Sequence, residues 1–212
     1  MAQGRFDDTF WTGQFPRWAG AAAMLGGALA ALAAFLHNLQ PVGCVGMDCP
    51  TGALRSSTGI VPVAGSAACL LILVGIAGMT LLARRSGQRR KLATTGLITA
   101  AAGFVLLFAG GIVQSAFFGG DFPGMPFFVI PGLLAVIAGF LMIGVLILRS
   151  GIFPRWLGIL FLVSTVALLA ANEQTPAVLL AIPFGLAMMT AGYFMVSGGG
   201  RRLAAPPAPS TS

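Results

Sequence analysis

Apolar residues in this chain fall in long unbroken blocks, not at the 3.6-residue or 2-residue spacing that buries one side of an element. Each block must therefore meet apolar surroundings on every side, and lipid supplies them. A helix needs about 20 apolar residues to cross the hydrocarbon core. Six stretches approach or exceed that length, at 18–36, 59–83, 92–118, 127–148, 156–171 and 177–196. The fifth is the shortest, bounded by Trp156 at its entry and by Asn172, Glu173 and Gln174 at its exit. Continuous apolar runs also exclude a lipid-exposed barrel, whose strands alternate apolar and polar positions. The expected fold class is all-α, a polytopic bundle of six transmembrane helices.

The polar residues between the blocks fix an expected orientation, because short loops rich in Lys and Arg stay in the cytoplasm. Arg5 and Arg17 precede the first block, and Arg84, Arg85, Arg89, Arg90 and Lys91 crowd the second connection. Arg149 and Arg155 lie in the fourth connection, and Arg201 and Arg202 in the tail. The opposite side holds only Arg55, with Asp48, Asp121 and Glu173. Both termini are thus expected inside. A cleaved signal peptide fits less well, since the first block is long for a signal core.

Composition sharpens the picture. Of 212 residues, 57% are hydrophobic and 8% charged, against about 25% charged in a soluble domain. The net charge of +7 sits in short connections beside apolar blocks, so anionic headgroups are its nearer partner and no nucleic-acid partner is expected. The chain divides into an interfacial segment at 1–17, a membrane domain at 18–197 and a tail at 198–212. Phe6, Phe10, Trp11 and Phe15, interleaved with Arg5, Asp7 and Asp8, suit a segment lying on headgroups. Pro206, Pro207 and Pro209 in the tail have nothing to bury, so disorder is expected there.

Two regularities recur. Phe15-Pro16-Arg17-Trp18 with Gly20 returns as Phe153-Pro154-Arg155-Trp156 with Gly158, each copy leading into a block from the basic side. Pro suits a first helical turn, Arg snorkels and Trp sits at the interface, so shared anchoring chemistry accounts for the repeat as readily as duplication does. The even-numbered blocks carry Pro62, Pro131 and Pro183 towards their outer ends. Pro62 falls in a first turn. Pro131 and Pro183 lie deeper and are expected to bend their helices, opening a shallow outward cavity near Gln114.

No block contains a charged residue in its interior, although carriers of ions and protons usually hold one. The most polar positions are Gln114, Ser115, Thr94, Thr95, Thr99, Ser66, Ser164, Thr165 and Thr190, and hydroxyls in such places are expected to bond back to their own helix or bridge to a neighbour. Ala19, Ala23, Gly27 and Ala31 fall four apart, as do Ala22, Gly26, Ala30 and Ala34, giving the first helix a smooth packing face. It belongs at the centre of the bundle or at a subunit contact. Thr94, Thr95, Gly96, Ala100 and Gly103 offer a smaller such surface. Phe117, Phe118, Phe122, Phe127 and Phe128 gather near Asp121 and Pro123, as outer-leaflet packing or as a site for a lipid tail, quinone or helix.

The richest chemistry lies between the first two blocks, in His37, Cys44, Met47 and Cys49. On the outer side Cys44 and Cys49 can close a disulfide loop made flexible by Gly43 and Gly46. Reduced, the same cysteines with His37 and Met47 are soft donors suited to Cu(I). A thiol oxidoreductase is a third reading, but the pair is Cys-x4-Cys and Cys69 stands alone. No nucleophile, metalloprotease or phosphate-loop motif appears, and a single histidine excludes mechanisms that need two. No cofactor is expected.

The run from Arg149 through Ser150, Gly151, Ile152, Phe153, Pro154, Arg155, Trp156 and Leu157 to Gly158 resembles the cytoplasmic connector of small bacterial six-helix membrane proteins of unknown function. The resemblance covers about the last third of the chain and implies a bacterial plasma-membrane setting without an activity. The leading expectation is a non-enzymatic accessory or structural subunit, packed against itself or another membrane protein within the bilayer. A transporter or channel for a small neutral or lipophilic solute is the alternative, and redox or copper handling at the first outer loop the third.

Overall fold

Each apolar block forms a helix in the computed structural model, which describes residues 14–40, 60–85, 90–118, 122–172 and 175–197. The helices are α1 (Phe15–Leu39), α2 (Ile60–Arg85), α3 (Arg90–Phe117), α4 (Pro126–Ser150), α5 (Arg155–Ala167) and α6 (Ala181–Val196). No strand occurs among the described residues. Five of the apolar segments are long enough to cross a membrane; the fifth is not. Here α5 has 13 residues and continues only through a 3-10 turn at Leu168–Ala170, together about 25 Å against a hydrocarbon core of about 30 Å. The expected span at 156–171 is therefore shortened. Ser164 and Thr165 both donate to the Phe161 carbonyl, at 3.1 and 2.7 Å, just before the helix tightens into that turn.

The sixth segment likewise starts as a 3-10 turn, Pro176–Leu180, with the Thr175 hydroxyl accepting from the Ala177 amide. That moves Pro183 to the third residue of α6, within a first turn where little main-chain bonding is lost. It lies less deep in its helix than the sequence suggests, whereas Pro131 lies inside α4. Pro62 is the third residue of α2, as expected.

Consecutive helices pack side by side and α6 closes on α1, so the six form a ring. Two of its pairings use one device, glycines seven residues apart on facing antiparallel helices. Gly20 and Gly27 of α1 meet Gly192 and Gly185 of α6, and a Cβ at Gly185 would stand 2.5 Å from the Gly27 carbonyl oxygen. Gly96 and Gly103 of α3 meet Gly139 and Gly132 of α4, where a Cβ at Gly139 would stand 2.6 Å from the Ala100 amide nitrogen. Without Cβ atoms the backbones approach far enough for dispersion contacts to hold the pair, which is what association in lipid depends on.

The middle of the ring is filled by aromatic rings from four helices. Phe140 stacks on Phe184 at 4.8 Å, Phe161 lies 5.3 Å from Phe184, and Phe104 lies 6.0 Å from Phe140. Ile76, Met79, Ile143, Leu157 and Met188 complete this buried centre. At one end, Gly151 takes a left-handed conformation (φ 66°) to stop α4, while Ile152 and Phe153 tuck beneath the bundle.

Candidate functional site

The α1 face expected from the sequence is divided between two neighbours. Ala19 and Ala23 receive Gly78 and Gly75 of α2, whereas Gly27 and Ala31 receive Gly185 of α6. The physical reason is the helical repeat: a row of residues four apart drifts around the axis by roughly 40° per step, so three steps carry it from one partner to the next. Both parts are covered within the chain, with Ala19 and Ala23 fully buried. The face therefore packs within the chain, against the two helices that flank α1 in the ring. Gly26, from the second row, fits against Leu71 and Ile72 of α2.

The facing glycines of α6 and α4 were not singled out by sequence reasoning, although Gly185 with Gly192, and Gly132 with Gly139, are spaced seven apart in plain sight. Matching that interval to Gly20 with Gly27 and Gly96 with Gly103 would have found both pairings. The α3 surface of Gly96, Ala100 and Gly103 is likewise occupied, by α4.

Most polar side chains bond locally. Ser115 donates to the Ile112 carbonyl and Thr190 to the Leu186 carbonyl, and Ser164 and Thr165 share Phe161. One exception was overlooked in the sequence: Thr80, 2% exposed, has a buried hydroxyl with no partner among the described residues. Gln114 is half-buried on α3, and Pro131 and Pro183 are exposed on the bundle's outer surface. The two prolines therefore point away from the aromatic centre. Of the outer phenylalanines, Phe118, Phe122 and Phe128 form a chain of contacts at 4.5 and 6.0 Å, while Phe117 and Phe127 are largely exposed.

His37 is buried in the last turn of α1. Its suggested partners Cys44, Met47 and Cys49 lie outside the described residues, as do the 1–13 segment, the tail from 198, and Asp121. Cys69 is half-buried, packed against the central cluster. No group of three or more His, Cys, Asp or Glu gathers among the described residues.

Charge is strongly polarised along the bundle. Gly20 touches Gly192, Gly78 touches Ala19, Gly96 touches Met142, Gly158 touches Leu148 and Trp156 touches Phe194. These contacts bring the starts of α1, α3 and α5 and the ends of α2, α4 and α6 to one end. Arg17, Arg84, Lys91, Arg149 and Arg155 all lie at that end, and all are exposed. Every Asp and Glu of the chain, at positions 7, 8, 48, 121 and 173, falls outside the described residues, so the described bundle contains no carboxylate.

One surface stands apart from the rest. Thr95, Ile98, Ala102, Val105, Ala109, Ile112 and Ala116 recur along α3 at alternating intervals of three and four, and all except the half-buried Ala109 are exposed. Elsewhere the outward positions are chiefly large: Leu25, Leu32 and Phe35 on α1, Leu70 and Val74 on α2, Ile130, Leu133 and Leu134 on α4. Helix α3 is also the least covered of the long helices. Comparison with known protein families, curated proteins and solved structures returns no match.

Proposed function

We propose that this chain is a non-enzymatic integral membrane protein of the bacterial plasma membrane, an accessory or structural subunit that associates with a second copy of itself through α3. The observation that carries the reading is the outward seam of that helix. Small residues at 95, 102, 109 and 116 alternate with β-branched residues at 98, 105 and 112, a heptad arrangement in which small layers admit a backbone and branched layers fill between. Two copies sharing one topology present this seam in parallel. Every layer then meets its own kind across a two-fold axis along the membrane normal, the self-complementarity a symmetric dimer requires.

The basic end faces the cytoplasm in this reading, because clustered Lys and Arg in short connections are retained there. The aromatic filling of the ring favours a scaffold over a solute path, since rings in contact leave its middle closed. Light scattering of the full chain in nanodiscs, or in mild detergent over a range of dilutions, tests the proposal. A dimer is expected, reduced to a monomer by the double change Ala102→Leu and Ala109→Leu while helicity is kept. A wild-type chain that remains monomeric at every dilution would overturn it.

A further inference from the structure

The closing of the ring gives the repeated tetrapeptide a meaning its sequence does not. Both copies show one burial pattern: Arg17 and Trp18, like Arg155 and Trp156, are exposed, while the next two residues, Ala19 and Gly20 or Leu157 and Gly158, are buried. In sequence the copies are far apart. In space they stand on either side of the last turn of α6. On one side Gly20 rests against Gly192, Met195 and Val196, and Met24 reaches Gly192, so Arg17 lies at the foot of the α6-facing stripe of α1. On the other, the Trp156 ring meets Phe194 edge-on at 6.2 Å, and Phe194 in turn meets Tyr193 at 6.0 Å. Trp18, Trp156 and Tyr193 are 67%, 52% and 58% exposed.

We propose that this rim, formed by Arg17 and Trp18 of α1, Tyr193 of α6 and Arg155 and Trp156 of α5, binds the headgroup of an anionic phospholipid. Two independent observations point to an anion held at a membrane surface. Both guanidiniums are exposed at the basic end of the bundle, and a guanidinium matches phosphate oxygens in a fork of two hydrogen bonds. The three exposed amphipathic rings are of the kind that settles at headgroup level, with the apolar body towards the acyl chains and the polar edge towards water. A soluble phosphate compound would use the arginines but gain nothing from the rings.

Two of the three tryptophans of the chain, Trp18 and Trp156, report on the rim directly, and Trp11→Phe removes the third. Full-length protein carrying that change is reconstituted in zwitterionic nanodiscs, and a trace of a brominated phosphatidylglycerol or a brominated phosphatidylcholine is titrated in. The fluorescence should be quenched at about thirtyfold lower mole fraction of the anionic lipid, roughly fivefold for each arginine. Arg17→Gln with Arg155→Gln should abolish the preference, whereas Arg90→Gln with Lys91→Gln, at the start of α3 and so opposite α6 in the ring, should preserve it. Equal quenching by the two lipids would overturn the proposal. So would an equal loss in both double variants, which would mark a diffuse surface charge, or full displacement of the anionic lipid by millimolar glycerol phosphate, which would mark a soluble phosphate site.

Discussion

If the glycine seams hold the ring together, adding one methyl group to a seam should cost more than adding it anywhere else. Gly103→Ala places a Cβ 2.6 Å from both the Gly132 carbonyl oxygen and the Val136 amide nitrogen. Ordinary contact begins at 3.4 Å, so α4 must retreat by about 0.8 Å, and neither obstructing atom can swing aside because both are main chain. A retreat of that size forfeits a quarter to a half of the dispersion energy along the interface. It also opens the adjoining Ala100 contact with Gly139. Overpacking of this kind costs about 3 kcal/mol at the upper end of its range, offset by about 1 kcal/mol of helix propensity gained on replacing glycine. The net loss is about 2 kcal/mol. Gly65→Ala is the matched control, because its Cβ would meet nothing within 4 Å and only the propensity gain, up to about 1 kcal/mol, remains. The two variants should therefore differ by about 3 kcal/mol, more than a hundredfold in the unfolding equilibrium. Reversible unfolding in mixed micelles of mild detergent and SDS, followed by tryptophan fluorescence, measures it. A Gly103→Ala protein within 0.5 kcal/mol of Gly65→Ala would refute the close-packed seam.

Three further changes probe the rest of the bundle. Phe161→Ala should cost about 3 kcal/mol in the same assay, since its fully buried ring touches both Phe140 and Phe184; a loss below 1 kcal/mol would mean the aromatic centre is loosely filled. Thr80→Val keeps the shape while deleting a buried hydroxyl without a partner, so it should stabilise by about 1 kcal/mol, whereas Thr165→Val, which deletes the bond to Phe161, should not. Gly151→Ala should cost about 1 kcal/mol because of the left-handed backbone at that position, and Gly151→Asn should recover part of it; equal stability of all three proteins would count against this account of how α4 ends.

Much of the fold was legible because lipid imposes a simple rule, that every side of a spanning helix be apolar, and uninterrupted blocks such as 59–83 and 92–118 obey it openly. Helix α5 shows where the rule stops. Its apolar run continues to Ala171, but two hydroxyls on one carbonyl and a 3-10 turn shorten the regular helix, and hydropathy carries no record of either. The packing face of α1 was visible as small residues, yet which partner each residue meets depends on the 40° drift along the row and on the closing of α6 against α1. The aromatic centre was hidden for a different reason. Phe104, Phe140, Phe161 and Phe184 come from four helices, and nothing in the sequence distinguishes them from Phe127, which is exposed. Thr80 was passed over because one hydroxyl in an apolar helix normally bonds to its own turn, and here it does not. The copper and disulfide readings of Cys44 and Cys49, with Met47, concern residues outside the described set, so the spacing of those residues remains their whole support.

The central claim is a bundle that spans the bilayer with its basic end in the cytoplasm, and labelling from one side tests it most directly. In a background with Cys44, Cys49 and Cys69 replaced by serine, Arg155→Cys at the start of α5 and Asn172→Cys beyond the 3-10 turn that follows it are introduced separately, and intact cells are exposed to a membrane-impermeant maleimide. The account predicts modification of the cysteine at 172 in intact cells and of the cysteine at 155 only after permeabilisation. The reverse pattern, or equal labelling of both in intact cells, would contradict it.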